Sequence, residues 1–113
     1  MRPDKYILDA NGDPTPCADV HAWGRWFETS AAERVVAHDR DEGDPENRVL
    51  VSTIFLALDH QFGDGPPVLW ETLVFGGPLD GEMTRYTSKQ DALRGHQAMC
   101  ERVAKAARRA TGG

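Results

Sequence analysis

No apolar run in the chain approaches the roughly 20 residues that a bilayer-spanning helix needs, so no membrane segment is expected. The opening residues, Met1-Arg2-Pro3-Asp4-Lys5, have no apolar stretch behind them and do not read as a signal peptide. A cytoplasmic protein is the expectation. Cysteine is scarce: Cys17 and Cys100 are the two, far apart in sequence and in no Cys-x-x-Cys pair. Reduced thiols are expected over a disulfide, with no structural zinc and no cofactor. Lysine is scarce as well, three against ten arginines. With alanine and glycine common, that usage reflects GC-rich coding and carries no structural force. There is no internal repeat and no low-complexity segment.

What is present is enough for one core. A chain of 113 residues with 40% apolar and 27% charged content suits a single domain, residues 1–113. The net charge of −5 is unevenly placed. Residues 88–113 hold six Lys/Arg against two Asp/Glu, and residues 1–87 hold seven against sixteen.

Hydrophobic periodicity predicts an α+β fold in the order β-α-β-β-β-β-α. Tyr6-Ile7-Leu8 reads as a strand, and Asn11-Gly12-Asp13-Pro14 as a turn, because Asn and Gly tolerate positive φ. Thr15 as N-cap and Pro16 at the first helical position predict a helix over 16–28, with Val20, Trp23 and Phe27 on one face and Trp26 widening it. Strands are expected at 34–39, 48–58, 68–75 and 82–87, joined as an antiparallel meander. Segment 40–47 reads as an acidic loop. Strand 48–58 is apolar on both faces, which predicts a central strand covered on both sides. Ser88 reads as the cap of a helix over 88–110 with Leu93, His96, Cys100, Val103 and Ala107 in one stripe, and Gly95 permits a close approach beside it. Buried positions are expected at Phe55, Leu56, Val74, Leu93 and Val103.

Several residue groups invite a chemical reading. His96 and Cys100, at i and i+4, share a helix face and can form a metal pair; the competing reading, two core-edge residues, is preferred. A Cys-His-Asp nucleophile lacks any surrounding motif. The segments Gly63–Pro67 and Gly76–Gly81 match no phosphate-binding fingerprint, carry aspartate, and read as hairpin loops. Arg102, Lys105, Arg108 and Arg109 can contact nucleic acid, although cations at a helix C-terminus are also favoured by the helix dipole. Nucleic acid is therefore not the favoured partner. The connection 59–67 is longer than a hairpin needs. It brings Asp59, His60, Gln61, Phe62 and Asp64 to one end of the sheet, and these five are the expected binding residues; no catalytic residue is assigned.

The run Val51 to Pro67, the run Glu71 to Gly81, Arg85-Tyr86-Thr87-Ser88 and Gly95-His96, with Tyr6-Ile7-Leu8-Asp9 and Trp23-x-x-Trp26-Phe27 upstream, form a pattern over most of the chain. It resembles small proteins encoded in phages and prophages of GC-rich bacteria. That resemblance implies a phage accessory protein, and small proteins of this kind often bind and redirect a host component; with the small size and the lack of a convincing catalytic constellation, the expected function is non-enzymatic binding of a host protein or protein complex, including a defence system of the CRISPR kind. The resemblance implies no activity, ligand or catalytic residue. The alternatives are a binder of a signalling nucleotide through loop 59–67, or a small hydrolase using Asp59 and His60.

Overall fold

A computed structural model describes residues 3–41 and 48–112. The order is β1 (Tyr6–Leu8), β2 (Pro14–Pro16), α1 (Val20–Thr29), α2 (Ala31–Arg34), β3 (Val35–Asp41), β4 (Val49–Phe55), β5 (Trp70–Phe75), β6 (Met83–Tyr86) and α3 (Lys89–Gly112). The expected α+β class holds. β3 to β6 form an antiparallel sheet in sequence order, and β1 pairs with β2 in a separate hairpin.

The N-terminal helix starts later than expected. Thr15 does not cap it: β2 pairs with β1 in the register Tyr6↔Pro16, Ile7↔Thr15 and Leu8↔Pro14. Two prolines in three residues argued against a strand, since each lacks an N–H. A two-stranded ribbon tolerates them, because each strand has a free side. The turn is held by the Asp9 carboxylate, which accepts from the backbone N–H of Asn11 and Asp13. Asp19 is the true cap, accepting from His21 N and Ala22 N at 2.9 and 3.1 Å. Two such bonds satisfy two of the orphan donors at a helix start.

α1 is amphipathic, yet none of its residues is fully buried. Trp23, Trp26 and Phe27 are half-buried and pack against the core, while Val20 is exposed. Trp23 Nε1 donates to the carbonyls of Tyr6 and Ala57 at 3.2 and 3.1 Å, which ties α1 to the hairpin and to the end of β4. Trp26 meets Phe55 edge to face, with ring centroids 6.0 Å apart. Ala57, at φ 65°, turns the chain out of β4, so the strand is shorter than the 48–58 read from its apolar pattern.

In the sheet, Thr53 pairs with Thr72, Val51 with Val74 and Phe55 with Trp70. Their side chains share the face along which α3 lies. On that face Val49, Val51, Thr53 and Phe55 are buried, as are Trp70, Thr72 and Val74. On the other face Leu50, Ser52, Ile54 and Leu73 are half-buried, and Phe75 and Met83 are 48% and 46% exposed. The expectation that β4 is covered on both sides is therefore corrected: its position is central, but its cover is one-sided.

Ser88 caps α3 as expected, accepting from Asp91 N. The buried stripe is Ala92, His96 and Met99, with Val103 half-buried. Leu93, expected in the core, is 44% exposed. Of the expected stripe, His96 is buried and Cys100 and Val103 pack half-buried against the core; Ala92 and Met99, rather than Leu93, complete the inner side. What turns inward includes the small residues Ala92 and Gly95, which let the helix sit close to the sheet. The Tyr86 ring occupies the space that a Cβ on Gly95 would need. Leu56, also expected in the core, is half-buried. The acidic loop lies almost wholly outside the described residues.

Candidate functional site

The connection between β4 and β5 is braced by its own polar side chains. The Asp59 carboxylate accepts from Gln61 N and Val68 N at 2.8 and 2.9 Å, so one oxygen holds both ends of the loop. Gln61 Nε2 donates to the Pro66 carbonyl. His60 Nδ1–H donates to the Leu58 carbonyl at 2.8 Å, and His60 N donates to the Val68 carbonyl. The start of the loop is stitched to the N-terminal segment through Asp59 N and the Asp4 carbonyl. Of the five expected binding residues, Asp59, His60 and Gln61 therefore shape the loop. Asp64 is exposed, and Phe62 is 94% exposed. The Phe62 ring thus stands in open water on a loop braced from within.

A second constellation lies under α3. Thr53 Oγ1 is 2.5 Å from Thr72 Oγ1 and 2.7 Å from His96 Nδ1, and His96 Nε2 is 2.7 Å from an Asp39 carboxylate oxygen. A carboxylate only accepts, so Nε2 carries a proton. In the neutral imidazole, Nδ1 then accepts from the Thr53 hydroxyl, which accepts from Thr72. This hydroxyl–imidazole–carboxylate order matches a nucleophile, a base and its orienting group. Thr53 and Thr72 are 0% exposed, so no substrate reaches either hydroxyl. The four side chains are linked end to end, from Thr72 through Thr53 and His96 to Asp39, which suits a clasp that fixes α3 on the sheet.

Cys100 lies one turn beyond His96 and is half-buried. Burial pushes its thiol up from the ordinary value, and the carboxylates of Asp39 and Glu101 add to the effect. A high thiol pKa leaves little thiolate, so Cys100 is a poor nucleophile by itself. Cys17 and Cys100 are both free.

A cleft of about 340 Å³ opens elsewhere, between the β1–β2 turn and the starts of β3 and α3. Leu8, Trp26, Val36 and Trp70 give it an apolar floor, with Glu33 and Lys89 at its walls. It includes none of the residues of loop 59–67. At the basic end of α3, Arg102 faces Glu82 at 3.5 Å, so part of that charge is met within the protein.

No family model, curated protein or solved structure matches the chain. A functional reading rests on the side chains alone. Sequence reasoning found the loop and the His96/Cys100 pair, but missed Asp39, Thr53 and Thr72. A signal for the threonines was present: each stands at an inward position of an apolar strand, between valine and an aromatic residue. A hydroxyl at such a position needs a buried partner. Asp39 had no comparable mark, because its approach to His96 depends on the β3–β4 register.

Proposed function

We propose that the protein is a binding module that docks on another protein, with Phe62 as its anchor. The observation that carries this reading is Phe62 itself, 94% exposed at the tip of a loop whose shape is fixed by Asp59, His60 and Gln61. Exposing a large ring is unfavourable in the free protein, and a partner's apolar pocket recovers that burial. The braced loop loses little conformational freedom on docking, which favours affinity. An enzymatic reading has less support, because His60 and Asp59 are engaged with loop backbone and the Thr53 hydroxyl is sealed. In the phage setting that the resemblance implies, the partner is a host protein or complex, a defence system among them.

The test is capture from bacterial host lysate on the immobilised full chain, compared with Phe62→Ala. The expected result is a discrete host protein retained by the wild type and lost by the variant, with an unchanged melting curve. Anchors of this kind contribute about 2 kcal/mol or more, a loss of roughly thirty-fold in affinity. Equal retention by both proteins overturns the reading. Retention of nucleic acid in place of protein, abolished by substitutions at Arg108 and Arg109, transfers the function to the end of α3.

A further inference from the structure

His96 and Cys100 project from successive turns on the inner side of α3, and Asp39 faces them from β3. One ligand atom from each, an imidazole nitrogen, a thiol sulfur and a carboxylate oxygen, lie within 4.8 Å of one another. We propose that Asp39, His96 and Cys100 form a binding site for a single zinc ion. This site is separate from the Phe62 loop and does not depend on it.

The donor set selects the metal. A thiolate and an imidazole suit a borderline-soft ion, whereas magnesium and calcium prefer oxygen alone. With the thiol deprotonated, one carboxylate and one thiolate balance the charge of Zn2+. Three protein ligands leave a fourth tetrahedral position for water. That position opens on the solvent side, because the Asp39 side chain is 67% exposed while that of His96 is 7% exposed.

The surroundings fit as well. A metal-bound histidine is normally held by a hydrogen bond at its other ring nitrogen. Here Thr53 holds Nδ1, and Thr72 holds Thr53. When Nε2 takes the metal, the imidazole proton resides on Nδ1 and is donated to the Thr53 oxygen, which turns its own proton toward Thr72. The thiol proton leaves to solvent, so one proton is released for each ion bound. Nε2 and the Asp39 oxygen now stand at 2.7 Å, a hydrogen-bond distance. Bond lengths of about 2.0–2.1 Å at tetrahedral angles place such atoms roughly 3.3 Å apart. The exposed Asp39 side chain makes that small movement without disturbing the sheet.

Cobalt(II) serves as a spectroscopic probe for zinc, since thiolate ligation gives a charge-transfer band in the near ultraviolet. The full chain is titrated with Co2+ and with Zn2+, followed by absorbance and calorimetry. Cys100→Ser and Asp39→Asn are compared, with Cys17→Ser as the control for the other thiol. Both site variants lie at half-buried or exposed positions and leave the His96–Thr53 bond in place, and their circular dichroism verifies the fold. The expected result is one ion per chain with the thiolate band in the wild type and in Cys17→Ser. In Cys100→Ser the band is absent, and in both site variants zinc binds at least ten-fold more weakly. A wild type with no thiolate band overturns the site. So does zinc affinity unchanged by Cys100→Ser or by Asp39→Asn.

Discussion

The two faces of the four-stranded sheet share every backbone hydrogen bond, yet they differ in what covers them. Val49, Val51, Thr53 and Phe55 lie under α3 and are buried; Leu50, Ser52 and Ile54, alternating with them, are only half-buried. Leucine and isoleucine on the open face are as apolar as the valines on the closed one. Composition therefore does not decide which face forms the core. The helix decides it, through Ala92 and Gly95, whose small size allows a close approach. Stability should follow that asymmetry, and five substitutions measure it.

Phe55→Ala tests the covered face at its deepest point. It removes a fully buried ring that touches Trp26 and Trp70. A loss of about 3–5 kcal/mol is expected from a urea titration. A loss under about 1 kcal/mol would mean that the core lies elsewhere.

Thr53→Val keeps the shape and removes the hydroxyl. Thr72 and His96 Nδ1 each lose a buried partner. Unsatisfied buried groups cost about 1–3 kcal/mol, so a decrease in that range is expected. An unchanged midpoint would show that the polar chain does not clasp α3.

Gly95→Ala places a methyl against the Tyr86 ring. Overpacking typically costs about 1–3 kcal/mol, set here against the better helix propensity of alanine. The loss should shrink when Tyr86→Ala is combined with it, which a double-mutant cycle reads directly. Additive losses would separate the glycine from the ring.

The smallest effect is expected on the exposed side of the helix and on the open face. Leu93→Ala and Met83→Ser each change a residue that is nearly half exposed. Surface substitutions usually fall within about 0.5 kcal/mol. A loss of about 2 kcal/mol at Leu93 would return it to the core stripe and undo the phase found for α3.

Strand order and the long C-terminal helix were legible in the sequence because strong alternation and a capped helical repeat are local signals. The inward residue of the first turn of α3 was not legible, although His96, Cys100 and Val103 were. Leu93 outweighs Ala92 on any hydrophobic scale, but a place in the cluster that holds Trp70 and borders Tyr86 favours the smaller residue. The Thr15 and Pro16 pair mimicked a helix start, and Asp19, with two amide bonds, took that role four residues later. For the candidate site, the loop and its exposed phenylalanine were within reach, because excess length and turn residues mark a shaped connection. The bracing role of Asp59 depended on loop closure across Val68. The meeting of Asp39 with His96 joins residues 57 positions apart and depends on tertiary register alone.

The contact between Tyr86 and Gly95 also makes the docked helix visible to magnetic resonance. A glycine α-proton held against the face or edge of an aromatic ring experiences that ring's current, which displaces its resonance from the usual position. One of the two Gly95 α-protons points at the tyrosine, along the direction a Cβ would take, and the other does not, so their splitting reports the seating of α3 without any label or substitution. The signal would collapse toward the ordinary glycine position if the helix lifted from the sheet, even with its own hydrogen bonds intact.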